Sequence, residues 1–199
     1  MSELIAQELT YRYPSGFTAG PLDLELGPGL HLLLGPNGSG KTTLLRCLCG
    51  AHRRARGAVT IDGLDPRIDP EARRRIALLS AEPELPDVLT VDEAWSQLAA
   101  IRGAPLWDGA ALRRALDVPG HLPLSHCSAG QRRLAELLAA AAGDPGVLLL
   151  DEPLANLDPG HLERVCGLLL RWRSDRVVLM TSHTIPPVPL DSTVHLGGR

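Results

Sequence analysis

The chain has 199 residues and a formal net charge of −3, and its balance of 44% hydrophobic against 22% charged residues excludes a disordered protein and predicts one globular domain. The slight acidity and an aromatic content of only 3% argue against nucleic-acid binding, which needs basic and stacking surfaces. No apolar run approaches the roughly 20 residues that span a bilayer, and residues 1–10 do not resemble a secretory signal. The sequence therefore predicts a cytoplasmic protein that meets a membrane only through a partner.

Apolar runs and amphipathic stretches alternate along the chain. The strand-like stretches cover residues 4–11, 22–26, 30–34, 58–62, 76–79, 147–150 and 177–180. The helical stretches follow Gly40, ending near Gly50, and cover residues 91–101, 110–116, 131–142 and 161–173. Buried strands that alternate with helices indicate an α/β fold with a mainly parallel core sheet.

The first strand-like stretches lie close together and are joined by a turn at residues 14–16, whereas the middle of the chain is helical and broken by Gly and Pro. We interpret residues 83–130 as a helical subdomain inserted into a nucleotide-binding core of residues 1–82 and 131–199. The whole chain, residues 1–199, is then one domain.

A phosphate-binding loop follows the strand-like run at residues 30–34. Residues 35–42 match the pattern G-x-x-x-x-G-K-[ST], whose glycines let backbone N–H groups converge on phosphates at the positive end of a helix. Lys and Arg together number 20, yet Lys41 is the only lysine, which suggests a position that the planar Arg cannot fill. We expect Lys41 to reach the β- and γ-phosphates of ATP and Thr42 to hold Mg²⁺. The alternative is a glycine-rich turn with an incidental lysine.

Two carboxylates follow the apolar run at residues 147–150. In parallel sheets, ligands bind at the carboxyl ends of strands. We therefore expect Asp151 to bind Mg²⁺ and Glu152 to act as the general base toward the attacking water. The alternative is an acidic pair that merely ends a strand.

The order of these motifs resembles the nucleotide-binding subunit of ATP-binding cassette (ABC) transporters over nearly the whole chain. Residues 35–43 resemble Walker A, and residues 147–152 resemble Walker B with its catalytic Glu. Residues 128–131, Ser-Ala-Gly-Gln, resemble the signature motif, and residues 155–158 resemble the D-loop. His183 resembles the switch histidine.

The resemblance implies a P-loop NTPase (RecA-like) fold with a parallel core sheet, N-terminal antiparallel strands and an inserted helical subdomain. It also implies that Glu152 and His183 are catalytic and that Thr42 and Asp151 bind Mg²⁺. Tyr13 would stack on adenine, with Tyr11 as a weaker candidate. The implied nucleotide contacts are Tyr13, Gly35, Pro36, Asn37, Gly38, Ser39, Gly40, Lys41, Thr42, Thr43, Ser128, Gly130, Gln131 and Asp158.

In this family two cassettes pack head to tail around two ATP molecules, so the resemblance implies a second ABC ATPase subunit, in a homodimer or a heterodimer. Ser128 and Gly130 would face the partner's γ-phosphate, and Asp158 would link the two sites. ATP hydrolysis by the dimer would drive separate transmembrane subunits. Compact size and the Ser-Ala-Gly-Gln signature favour an exporter-type system.

The sequence departs from the family pattern at three places. Ala81 stands where the family has a Gln that contacts Mg²⁺ and water, and Glu82 follows it. The signature begins with Cys127 instead of Leu and has Ala129 instead of Gly. Residues 184–190 contain three prolines where relatives often have a helix. Two alternatives therefore stay open, namely a non-transport ABC-type switch and a weakly active regulatory half of a heterodimer.

Overall fold

A computed structural model describes residues 2–82, 84–103, 113 and 116–196. Its strands are β1 (Leu4–Arg12), β2 (Thr18–Leu26), β3 (Gly29–Leu34), β4 (Arg56–Ile61), β5 (Ile76–Leu79), β6 (Val147–Leu150), β7 (Val177–Ser182) and β8 (Ser192–His195). Its helices are α1 (Lys41–Leu48), α2 (Pro70–Arg74), α3 (Val91–Ile101), α4 (Ala129–Ala141) and α5 (Pro159–Trp172). Within the described ranges, none of these helices combines the length and apolar character that crossing a bilayer requires.

The core is a five-stranded parallel sheet in the order β5-β6-β7-β3-β8. All four residues of β6 are buried, as expected for a strand that is covered on both faces. Leu148 and Leu150 pack toward α3, α4 and α5, whereas Val147 and Leu149 pack toward α1. Successive side chains of a strand point to opposite faces, so this short apolar run supplies both cores.

A second sheet is antiparallel, in the order β2-β1-β4, and lies on the α1 side of the parallel sheet. Its strand β2 alternates between buried and exposed residues, which is typical of a strand with one solvated face. The molecule therefore has three layers: the antiparallel sheet with α1, the parallel sheet, and the helices α3, α4 and α5.

Polar side chains fix where the later helices begin. Thr90 caps α3, and Ser128 caps α4, each in a reciprocal capping box with the residue three positions on, Glu93 or Gln131. Asp158 caps α5 by accepting from two backbone N–H groups of its first turn. Two of the predicted site residues, Ser128 and Asp158, thus lie at helix N-termini.

The α/β fold, the parallel core sheet and the N-terminal antiparallel strands that the sequence predicts are confirmed. Strands β5 and β6 and helix α3 have the predicted bounds, whereas β2 begins four residues earlier, and α2 and β8 were not predicted. The segment between β7 and β8 contains no helix, as its prolines predict. The helix predicted at residues 110–116 falls largely outside the described residues. The inserted subdomain of residues 83–130 stays a prediction.

Gly50 ends α1 in a left-handed conformation, with φ 79°, and a Cβ added there would lie 2.5 Å from the carbonyl oxygen of Pro66. Gly63 has the same φ of 79°, but no heavy atom of the described residues, its chain neighbours aside, lies within 4 Å of its Cβ position. We expect Gly63→Ala to lower the free energy of unfolding by about 1 to 2 kcal/mol through backbone strain. Gly50→Ala should cost about 1 to 3 kcal/mol more through the clash. Urea unfolding measures the loss of stability in both variants. Equal losses would show that the close approach to Pro66 does not destabilise Gly50→Ala.

Candidate nucleotide-binding site

The ends of three adjacent strands bring the predicted site residues together. The order β6-β7-β3 places the residues after Leu150, the end of β7 and the loop after Leu34 side by side at the carboxyl edge of the sheet. Ser80 and Ala81 follow β5, beside β6. The chain connections at this edge therefore form one site from segments that are distant in sequence.

The loop over residues 35–40 wraps around the side chain of Lys41. Lys41 is only 7% exposed, and its Nζ donates to the carbonyl oxygens of Gly35, at 2.8 Å, and Pro36, at 3.3 Å. Gly40 has φ 97°, and a Cβ there would lie 2.7 Å from Cβ of Ala19, so only glycine fits. The hydroxyl of Ser39 is buried and has no hydrogen-bond partner among the residues that the structure describes. An ammonium and an unpaired hydroxyl thus lie in a loop at the N-terminus of α1, where an anion is favoured.

Asp151 joins this loop to β7 through two hydroxyl groups. Thr42 Oγ1 donates to Asp151 Oδ2, at 2.6 Å, and Thr181 Oγ1 donates to Asp151 Oδ1, also at 2.6 Å. Asp151 is 1% exposed, and such a carboxylate needs these partners. One hydroxyl and one carboxylate fit Mg²⁺ that is bound mainly by phosphates and water. Among the described residues no cluster of three His, Cys, Asp or Glu side chains could hold a metal without such help.

Glu152 faces the ammonium group of Lys41 and the imidazole ring of His183. Its Oε1 lies 3.7 Å from Nζ of Lys41 and 3.6 Å from Nδ1 of His183, and its side chain is 21% exposed. Its backbone φ is 47°, a left-handed conformation that residues other than Gly seldom adopt. The N–H of Glu152 donates to Thr181 Oγ1, at 2.9 Å. The carboxylate is therefore next to the phosphate loop, yet reachable by water.

Aromatic rings lie beside the phosphate loop. The hydroxyl of Tyr13 is 3.0 Å from Oγ1 of Thr43, and its ring packs edge-on against Tyr11, which itself stacks on His52 at 4.2 Å. Phe17, 42% exposed, lies across the turn with its ring 6.1 Å from that of Tyr13. Tyr11 is thus stacked on His52, Tyr13 contacts Thr43 of the loop, and the ring of Phe17 is partly exposed beside the loop.

Among the described residues, two neighbouring cavities are lined mainly by the phosphate loop and its surroundings. The first has a volume of about 290 Å³ and is lined by Phe17, Asn37, Gly38, Gly40, Lys41, Thr42, Thr43, Ala81, Asp151 and Glu152. The second has a volume of about 650 Å³, and Pro36 and Ser39 are among its lining residues. Most of the predicted phosphate-loop contacts therefore line these two cavities, and both predicted carboxylates line the first of them.

The predicted signature and D-loop border a third cavity, of about 530 Å³, which Asn37 and Glu152 line together with Ala129, Ala155 and Asn156. Gln131 is held in the capping box of α4, because its side chain accepts from the N–H of Ser128, at 3.0 Å. A Cβ added at Gly130 would lie 3.1 Å from Nδ1 of His161. Asp158 pairs with the same imidazole, and this hydrogen bond lowers the pKa of the Asp158 carboxyl. His161 thus connects these two segments within one chain.

Three side chains at the site were missed by the sequence analysis. Phe17 is the only phenylalanine of the chain, and its position four residues after Tyr13 was the available signal. Thr181 binds both Asp151 and the backbone of Glu152, as described above. Arg133 donates to the backbone carbonyls of both of these acidic residues, and nothing in its helical pattern indicates this.

Comparisons with known proteins agree with this geometry. The family model described as ABC transporter matches residues 20–155. A Streptomyces coelicolor protein named as an ABC transporter ATP-binding protein is 38% identical, over 89% of this chain and 72% of its own length. The achromobactin transport ATP-binding protein CbrD of Dickeya dadantii is 29% identical, over 93% of this chain and 74% of its own length. A solved ABC transporter ATP-binding protein from Pyrococcus furiosus shares the fold, with a TM-score of 0.81 over 98% of this chain and 97% of that chain, at 19% identity. The chain therefore belongs to the ABC transporter family, as one of its nucleotide-binding subunits.

Proposed function

We propose that this subunit binds Mg·ATP at the phosphate loop and hydrolyses it to ADP and phosphate. The observation that carries the proposal is the convergence of Lys41, Glu152 and His183, with Glu152 Oε1 within 3.7 Å of both basic side chains. A phosphate loop alone would support binding. A carboxylate placed beside the loop and open to water also supports hydrolysis.

In this proposal each side chain has a distinct task. Lys41 and the N–H groups of α1 bind the β- and γ-phosphates, and Glu152 accepts a proton from the water that attacks the γ-phosphate. His183 binds the γ-phosphate and keeps the carboxylate of Glu152 aligned with it. Thr42 and Asp151 would hold Mg²⁺, which neutralises phosphate charge when it is bound.

We further propose that two subunits form a head-to-tail dimer. Ser128, at the N-terminus of α4, is exposed and Gly130 is half-buried, so this helix end is open to a second subunit, which supports a role toward that subunit's nucleotide. A helix N-terminus is a favourable site for a γ-phosphate. ATP would then stabilise the dimer, and hydrolysis would release it.

The dimer would act on separate transmembrane subunits at the inner face of the cell membrane. Among the relatives, one is named for achromobactin transport, and a solved relative of 24% identity is titled as a metal-chelate type ABC transporter. The exporter-type interpretation of the signature stays a prediction. Ala81 lines the same cavity as Glu152. An alanine at this position favours a second candidate function, the weakly active regulatory half of a heterodimer.

Phosphate release from Mg·ATP by the purified chain tests the proposed function. Hydrolysis that saturates with ATP and disappears when Mg²⁺ is chelated is the expected result. A chain that binds ATP tightly but releases no phosphate, alone or with added candidate partner subunits, would contradict hydrolysis and support the regulatory candidate.

Phe17 and Tyr13 give a prediction about how the adenine base of ATP is bound. Stacking on an aromatic ring contributes about 1 to 3 kcal/mol per base, so Phe17→Ala and Tyr13→Ala should each weaken ATP binding about 5- to 150-fold. Competition of a fluorescent ATP analogue with ATP and with tripolyphosphate measures the effect. Tripolyphosphate has no base, so its affinity should not change. Equal losses for both ligands would show that the rings support the loop instead of contacting adenine.

A further inference from the structure

The backbone conformation of Glu152 needs external support. Its φ of 47° is left-handed, and no glycine relieves the contact between Cβ and the carbonyl oxygen. Strained residues of this kind persist only where the surrounding structure holds them, and they concentrate at functional sites. The groups that hold the peptides on either side of Glu152 therefore decide where its carboxylate lies.

Two side chains from different elements supply that support. Thr181 of β7 accepts from the N–H of Glu152, at 2.9 Å. On the carbonyl side, Arg133 of α4 donates from one terminal nitrogen to the carbonyl oxygens of Asp151, at 2.5 Å, and Glu152, at 3.1 Å. The peptide groups before and after the Glu152 Cα are both bound.

Arg133 also reaches the neighbouring strand. Its other terminal nitrogen donates to the carbonyl oxygen of Ser80, which follows β5, at 2.6 Å. The guanidinium thus joins the ends of β5 and β6 beside Ala81. A forked, planar group with several donors is suited to serve three carbonyl oxygens that follow two different strands.

The guanidinium of Arg133 forms an ion pair with the carboxylate of Glu136, one turn further along α4. Arg133 is 11% exposed, and its guanidinium lies 3.8 Å from the carboxylate of Glu136, which is 5% exposed. Burial lowers the pKa of Arg133 and raises that of Glu136. Arg132 pairs with the same carboxylate, at 3.2 Å, but its other hydrogen bonds go to Leu85 and Asp87. The two adjacent arginines of α4 therefore hold different segments.

We propose that Arg133 is a positioning residue for Glu152, which fixes the strained backbone so that the carboxylate faces Lys41 and His183. Because Arg133 lies five residues after Ser128 on the same helix, it also connects the predicted signature segment to the general base. The proposal rests on the proposed hydrolysis of ATP.

Arg133→Gln tests the proposal, with Arg132→Gln as the matched control. A small displacement of a catalytic group can cost up to about 100-fold, so Arg133→Gln should lower kcat about 10- to 100-fold while the Kd for ATP changes less than about twofold. Arg133→Lys should remain impaired, since one ammonium cannot span the three carbonyl oxygens. Arg132→Gln should keep most of the turnover. Equal losses for both positions, or normal turnover of Arg133→Lys, would overturn the proposal.

A double-variant cycle separates positioning from other effects. In a Glu152→Gln background the carboxylate is already absent, so adding Arg133→Gln should cause no further loss of the residual rate. A further loss as large as in the wild-type background would show that Arg133 does not act through Glu152.

Hydrogen exchange gives a readout that does not depend on turnover. The amides of Asp151 and Glu152 are bonded to Leu79 and Thr181, and their exchange should become faster in Arg133→Gln or Arg133→Lys than in Arg132→Gln. Unchanged exchange would overturn the proposal even in a chain without ATPase activity. A wild-type chain with no turnover, but with exchange that depends on Arg133, would instead reject only the proposed hydrolysis.

Discussion

Glu152→Gln should lower the rate of ATP hydrolysis by at least about 100-fold, because a positioned general base contributes about 10²- to 10⁴-fold. Gln has nearly the same shape as Glu, but it cannot accept the proton of the attacking water. The change also removes a negative charge 3.7 Å from Nζ of Lys41. ATP affinity should therefore be kept or slightly increased. Phosphate release and the binding of a fluorescent ATP analogue measure the two quantities on the same sample.

Glu163→Gln is the control for this loss of activity. Glu163 is an exposed carboxylate of α5, so its substitution changes the net charge equally without touching the site. It should leave turnover within about twofold of the wild type, as expected for an exposed surface position. Turnover of Glu152→Gln near the wild-type level would show that another group takes the proton.

Lys41→Ala should weaken ATP binding by about 100-fold or more, since a buried, charge-assisted contact to phosphate contributes several kcal/mol. Nζ of Lys41 is already held at the loop by the carbonyl oxygens of Gly35 and Pro36, at 2.8 and 3.3 Å, so little ordering is needed on binding. Titration with a fluorescent ATP analogue measures the affinity, and thermal unfolding shows whether the chain is still folded.

Arg46→Ala is the matched control, because Arg46 is a cation of the same helix whose side chain is 42% exposed and lies 3.8 Å from Glu84. Such exposed pairs contribute little, so the affinity for ATP should change less than about twofold. Lys41→Arg should also bind poorly, since the wider guanidinium does not fit a loop in which Lys41 is 7% exposed. Full binding by Lys41→Ala would contradict the assignment of the loop to phosphate.

Local sequence signals predicted the elements that carry strong patterns. The apolar run Val147–Leu150 has no polar residue, so both its strand character and its burial on two faces could be predicted. The pattern at residues 35–42 specified a strand, a glycine-rich loop and a helix, and the structure has all three. Signals of this kind are local, and tertiary packing only has to agree with them.

The rest depends on contacts between distant segments, which no local pattern contains. Strand β8 is short and half exposed, and it is held by long-range bonds such as His31 Nδ1 to Ser192 Oγ, at 2.8 Å. Arg133 looks like one more surface arginine of an amphipathic helix until the fold brings it to the carbonyl oxygen of Glu152. The left-handed φ of Glu152 has no sequence signal either, because the residue is not Gly or Asn.

The solution mass of Glu152→Gln, measured by light scattering with and without Mg·ATP, tests the proposed ATP-dependent dimer most directly. A chain that binds ATP without hydrolysing it should accumulate in the ATP-bound pair, so the mass should double from that of a 21.3 kDa monomer when ATP is added. Wild-type protein should return to the monomer as ATP is consumed. A Glu152→Gln chain that binds ATP and remains a monomer at every concentration would contradict the homodimer.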